Sequence, residues 1–127
     1  MKTIYILIIS IILLASCRKQ DSSAPTIKIT KPAYGATFNP GDTITIEGKF
    51  EDNEELGSYT VIVGDASKDS IPNFSFSENS SLSGEEYEYS SEIIIPSTVT
   101  DTSFYLHYNV KDVNENSRNL KHLINLN

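Results

Sequence analysis

From Thr26 onward, apolar residues recur at every second position and are punctuated by Gly, Pro, Asn and Asp, and no stretch holds apolar side chains at helical spacing. The pattern predicts strands throughout. Ile27 and Ile29 alternate up to Lys31-Pro32, and Phe38 extends that strand as a kinked continuation between Tyr34-Gly35 and Asn39-Pro40-Gly41-Asp42. Ile44, Ile46, Gly48 and Phe50 share one face, with Thr43, Thr45, Glu47 and Lys49 on the other. After the polar break Asp52-Asn53-Glu54-Glu55, Leu56 leads into Tyr59-Thr60-Val61-Ile62-Val63. The segment from Gly64 to Glu86 is rich in Ser, Asp, Asn and Glu, and its one candidate strand, Asn73-Phe74-Ser75-Phe76, sets Phe74 and Phe76 on one face. Tyr87, Tyr89, Ile93 and Ile95 alternate up to Pro96, Phe104 to Val110 alternate up to Asp112, and Leu120, Ile124 and Leu126 mark the last strand. Pairing Asp112 with Arg118 places Val110 opposite Leu120, Leu106 opposite Ile124, Phe104 opposite Leu126 and Tyr108 opposite His122. About seven strands with regular turn signals predict an all-β fold, a seven-stranded immunoglobulin-like β-sandwich over residues 26–127.

The first residues follow another pattern. Ile4 to Leu14 is apolar except for Ser10 and follows Lys2, and it is too short for the ~20 residues that a spanning helix needs. It reads as the core of a leader. Leu14-Ala15-Ser16-Cys17 resembles the lipobox of bacterial lipoproteins, and Cys17 is the only cysteine. The expected organisation is therefore a lipoprotein signal peptide over 1–16, a lipidated Cys17 with a flexible tether over 17–25, and the sandwich after it. Arg18, rather than an aspartate, directly after Cys17 favours the outer membrane by analogy with other lipoproteins. The lipid would attach the protein to the membrane without any other membrane contact.

Composition narrows the partners. Lys2 leaves with the leader, so nine of the ten basic residues remain against 17 acidic ones, a formal −8. That balance argues against nucleic acid. Nucleophilic catalysis finds no footing: Cys17 is given to the lipid, His107 and His122 are the only histidines, and no serine lies in a Gly-x-Ser-x-Gly turn. The expectation is a protein that is not an enzyme.

Within this frame Pro25-Thr-Ile-Lys-Ile, Pro32, Gly35, Phe38, Gly41-Asp42-Thr-Ile-Thr-Ile-Glu-Gly, Phe50-Glu-Asp52 and Tyr108-Asn-Val-Lys-Asp112-Val-Asn-Glu-Asn116 look like the pattern of bacterial Ig-like domains, of the cadherin or fibronectin kind. The chain resembles the Bacteroidota lipoproteins that carry such a domain of unknown function. The resemblance implies a lipid-anchored, non-enzymatic binding or adhesion module that meets a protein or glycan partner in the cell envelope. A structural accessory subunit of an outer-membrane complex and a carbohydrate-binding accessory lipoprotein are the two alternatives.

In such a topology the loop after the second strand and the loop between the last two strands share one end. Asp52, Glu54, Asp112, Asn114 and Asn116 then form a candidate calcium site, since calcium takes 6–8 oxygen ligands. Asp21 from the tether could complete it. The bland reading is that turns favour Asp and Asn for backbone reasons. No other cofactor is expected. A ligand or partner surface is offered by Tyr34, Asp65 and Lys68 on turns at the opposite end, with Tyr105 and His107 on the penultimate strand. Asp42-Thr43-Ile44 and Asp69-Ser70-Ile71 resemble the acceptor pattern of Bacteroidota O-glycosylation, and the second marks Ser70.

Overall fold

A computed structural model describes residues 19–127, so the leader, Cys17 and Arg18 lie outside the described residues. The chain is all-β, and its strands are β1 (Thr26–Lys31), β2 (Ala36–Phe38), β3 (Thr43–Glu51), β4 (Leu56–Gly64), β5 (Ser77–Ser81), β6 (Glu86–Ile94), β7 (Ser103–Asp112) and β8 (Ser117–Leu126). They form two sheets in a sandwich-like arrangement, one ordered β1-β3-β6 and the other β2-β8-β7-β4-β5. All pairings are antiparallel except β2 with β8, which is parallel.

The alternation seen in the sequence is what fills the space between the sheets. Ile44, Ile46 and Phe50 of β3 and Tyr89 and Ile93 of β6 face Tyr59, Val61 and Val63 of β4, Phe104, Leu106, Tyr108 and Val110 of β7 and Ile124 of β8, and all are buried. Each fully buried Ile, Leu or Phe side chain contributes about 1.5–3 kcal/mol. Gly48 occupies an inward position of β3 because the chains approach too closely for a side chain, and a Cβ there would lie 2.6 Å from the Lys28 carbonyl oxygen. At one edge of the core, Phe50, Tyr59, Tyr87 and Tyr89 pack ring against ring with centroids 5.2–6.1 Å apart. Glu78 closes this edge, its carboxylate accepting from the Tyr59 and Tyr89 hydroxyls at 3.0 Å each.

Three expectations are corrected. Among the described residues there are eight strands rather than seven. Phe38 is not a continuation of the first strand. The chain crosses after Pro32 to the other sheet, where Ala36–Phe38 pairs with Ile124–Leu126. Residues 73–76 do not form a strand either: Asn73 takes a left-handed φ of 60°, and Ile71 and Phe74 make an isolated bridge. Phe74 is buried edge-on against Phe104 at 5.0 Å, and the strand of this segment is the polar Ser77–Ser81.

The register of the last hairpin also differs, by two residues. Val110 lies opposite Arg118, Tyr108 opposite Leu120, Leu106 opposite His122 and Phe104 opposite Ile124. A shift of two preserves which face each side chain takes, so the hydrophobic pattern is satisfied equally by both registers. The turn decides between them, because Asp112 turns its carboxylate onto the loop that follows. Its Oδ1 accepts from the Asn114 and Asn116 backbone N–H groups at 2.8 Å each, and Glu115 adopts φ 67°.

Candidate functional site: a three-carboxylate tip

Asp52 ends the approach from β3, and its Oδ2 accepts from the Glu54 and Glu55 backbone N–H groups at 3.0 and 3.1 Å. Asp112 ends β7 and is 2% exposed; its Oδ2 accepts from the Asn116 side-chain amide at 2.7 Å. The two loops come together because β4 and β7 pair, with Leu56 opposite Asp112, and because Gly57 leaves room at the bulge. A Cβ at Gly57 would lie 2.7 Å from the Asp112 carbonyl oxygen.

Asp21 reaches this tip from the segment before β1. The Asn53 side-chain amide donates to Asp21 Oδ1 at 3.1 Å, the Asn116 side-chain amide to the Asp21 carbonyl oxygen at 3.1 Å, and the Arg118 Nε to the Pro25 carbonyl oxygen at 3.1 Å. Residues 21–25 are therefore fastened to the domain rather than forming part of a flexible tether. The Ser23 backbone N–H and then the Asn53 amide hold the Asp21 carboxyl below its ordinary range, against the upward push of burial.

Asp21, Asp52 and Asp112 each offer a carboxylate oxygen, and these atoms all lie within 4.8 Å of one another. The Asp21 Oδ2 and Asp52 Oδ1 atoms are buried and accept no hydrogen bond. Two buried acceptors without donors beside a third carboxylate favour a cation between them, since bringing like charges together in a half-buried site is otherwise unfavourable. Oxygen-only ligands suit a hard divalent ion, calcium above all. Of the residues expected from the sequence, Asp52 and Asp112 meet here, joined by Asp21 from the segment before β1. Asn116 instead pins Asp21 to Asp112, and Glu54 lies outside the three-carboxylate group, its carboxylate accepting from the Asn114 amide at 3.3 Å.

The residues expected at a ligand surface divide. Asp65, Lys68, Tyr105 and His107 gather at the opposite end of the sandwich. The 97%-buried His107 ring lies under the Asp65–Asp69 loop, with its Nε2 2.7 Å from the Asp65 carbonyl oxygen. Tyr34 stands apart, exposed and edge-on to His122. His122 faces the core opposite Leu106 rather than the expected Tyr108, and its Nε2 pairs with the Pro32 carbonyl oxygen at 3.0 Å. Ser70 is exposed on the loop before Ile71, and Thr43 is exposed at the start of β3. The sequence alone gave no sign of Lys121 and Asn119, which lie beside His107 and Lys68, because outward polar residues of a strand carry no periodic signal.

No curated protein matches the chain. Among solved structures it is similar in fold to OgpA from Akkermansia muciniphila, crystallised in complex with an O-glycopeptide substrate, at TM-score 0.54 and 13% identity, covering 85% of this chain and 30% of that one. It is likewise similar to Spo0M, the sporulation control protein of Bacillus subtilis, at TM-score 0.52 and 9% identity, covering 82% of this chain and 49% of that one. The chain thus spans a third to a half of these proteins, and the likeness is one of fold alone. A family model matches residues 15–127, and the chain belongs to that family, a domain of unknown function designated DUF4625.

Proposed function

We propose that the protein is a lipid-anchored immunoglobulin-like module of the bacterial cell envelope, in which a calcium ion fastens the N-terminal segment to the tip of the domain. The observation that carries the cation site is the meeting of Asp21, Asp52 and Asp112 within 4.8 Å, with two of their oxygens buried and without donors. The order β1-β3-β6 against β2-β8-β7-β4-β5, with a short parallel β2, supports the immunoglobulin-like reading. The leader pattern ending at Cys17 supports the anchor, and Arg18 after it the outer membrane.

The docking of Asp21 shortens the leash. Four residue steps separate Cys17 from Asp21, so the tip lies within about 14 Å of the lipidated residue. The acidic tip then faces the membrane, and the opposite end of the sandwich, with the Asp65–Asp69 loop, faces outward. The module works by binding or adhesion rather than catalysis.

The cation site is tested by thermal unfolding of the full chain in detergent with calcium, with magnesium and with a chelator. Millimolar calcium should raise the midpoint and the chelator should reverse the rise, while magnesium, which keeps its water shell, should do less. An unchanged midpoint in calcium overturns the site. The anchor is tested by fractionation, where Cys17→Ser should leave the outer-membrane fraction.

A further inference from the structure

The two outer faces of the sandwich differ in charge. On the three-stranded sheet the outward residues include Glu47, Glu51, Glu86, Glu88 and Glu92. On the five-stranded sheet the register sets five rows facing outward: Ser103, Asn125 and Thr37; Gly64, Tyr105 and Leu123; Ser77, Ile62, His107 and Lys121; Asn79, Thr60, Asn109 and Asn119; Ser81, Ser58, Lys111 and Ser117. No carboxylate stands in them, although the chain carries 17. The acidic side chains of those strands point elsewhere, Glu78 to the core tyrosines and Asp112 into its turn.

At the outward end of this face, the Asp65–Asp69 loop and β8 enclose a hollow of about 360 Å³ lined by Lys68, His107, Asn119 and Lys121. This is within the size range of small-molecule sites. Neither Asp65 nor Asp69 lines it, the Asp65 carboxylate being turned onto the Ser67 and Asp69 N–H groups at 2.7 and 2.9 Å. Lys111 is paired with Glu115 at 3.2 Å. Among the described residues neither Lys68 nor Lys121 has a carboxylate partner. The Lys121 ammonium touches only the Ala66 carbonyl oxygen at 3.4 Å and lies over the Tyr105 ring, 5.7 Å from its centroid.

We propose that this hollow binds a carboxylate-bearing saccharide, with Lys68 and Lys121 as counter-charges for the carboxylate and the Asn119 side-chain N–H groups, whose Oδ1 already accepts from the Asn109 amide at 2.9 Å, as donors to sugar hydroxyls. Two cations without counter-ions on an acid-free face of an acidic protein call for an anion. The Asn119 amide and the Ser67 hydroxyl beside them supply donors and an acceptor for vicinal sugar hydroxyls. An acidic peptide would supply the same charge, and the triglutamate arm of the test separates it from a saccharide. The site is separate from the acidic tip and stands or falls independently of calcium.

The test is isothermal titration calorimetry of the full chain in a non-ionic detergent. The ligands are trigalacturonate, sialyllactose, the neutral maltotriose and triglutamate. Binding of trigalacturonate or sialyllactose that weakens with salt is expected, and the stronger of the two names the source of the carboxylate. Lys121→Glu should weaken it by about tenfold or more, the worth of one charge-assisted contact. Asn119→Ala should weaken it less, and Lys28→Glu on the opposite sheet should leave it unchanged. Maltotriose and triglutamate should not bind. The proposal is overturned if neither acidic saccharide binds, if triglutamate binds as well as they do, or if Lys121→Glu binds as the unaltered chain does while unfolding at the same temperature.

Discussion

Asp112 separates the two things the acidic tip does. Its carboxylate accepts the Asn114 N–H at 2.8 Å, the Asn116 N–H at 2.8 Å and the Asn116 side-chain amide at 2.7 Å, and it is 2% exposed. Hydrogen bonds to a charged acceptor contribute about 1.5–3 kcal/mol each, but a loop at the tip of a sandwich can relax so that water replaces part of that, so Asp112→Ala should cost about 3–4 kcal/mol without added ions. Asp112→Asn keeps one oxygen for the two backbone N–H groups and turns its amide toward the Asn116 donor, for a cost of about 1–2 kcal/mol. Both variants remove one of the three charges. Calcium at tenfold its dissociation constant should stabilise the unaltered chain by about 1.4 kcal/mol, or about 6 °C in a domain of this size. In Asp112→Asn the same calcium should move the midpoint by less than about 2 °C. The assay is thermal unfolding by circular dichroism, each variant with calcium and with chelator. If Asp112→Asn responds to calcium as fully as the unaltered chain, the carboxylate cluster is not the site. If Asp112→Ala unfolds where the unaltered chain does in chelator, the account of the turn and of the hairpin register fails.

The tyrosine edge of the core gives three further expectations. The Tyr108 hydroxyl is buried with no partner, so Tyr108→Phe should stabilise the domain by about 1 kcal/mol in urea unfolding, whereas Tyr89→Phe, which loses its 3.0 Å bond to Glu78, should cost about 1.5–2 kcal/mol. Destabilisation by Tyr108→Phe would mean that the hydroxyl is satisfied. Burial, and then the Glu78 carboxylate, raises the Tyr59, Tyr89 and Tyr108 hydroxyls above their ordinary 10.0. The unfolded chain releases those protons first, so this stability is present in full below pH 10.0 and is lost as pH rises above it. Tyrosinate absorbance from these three rings should therefore appear together with unfolding in an alkaline titration, and its appearance before unfolding would refute the burial. Finally, Gly57→Ala places a Cβ 2.7 Å from the Asp112 carbonyl oxygen and should cost about 1–3 kcal/mol and blunt the calcium response, read by the same thermal unfolding.

Much of the fold was legible in the sequence because a half-buried strand writes its burial as a period of two. Ile44, Ile46 and Phe50 and the alternating Phe104, Leu106, Tyr108 and Val110 are core in the sequence and core in the structure. Where both faces of a strand are polar the signal vanishes. Ser77–Ser81 carries no such signal, because its outward residues meet solvent and its inward Glu78 is half-buried against tyrosine hydroxyls rather than apolar neighbours. The hairpin register was mistaken for a related reason: a slip of two leaves every apolar residue on its face, and the arbiter was the Asp112 turn.

The sequence by itself determined the strand class, the core face of the principal strands, the leader-like pattern that ends at Cys17, and two oxygen-rich loops, because hydrophobic period and local turn chemistry are written in neighbouring residues. Only the tertiary structure decided which oxygens meet. Asp21, Asp52 and Asp112 are far apart along the chain and come together because the bulge at Gly57, the amides of Asn53 and Asn116 and the β4–β7 pairing bring two loops and the segment before β1 to one point. The acid-free outer face with Lys68 and Lys121 is likewise a product of register. Distance in space between polar side chains has no counterpart in their spacing along the chain.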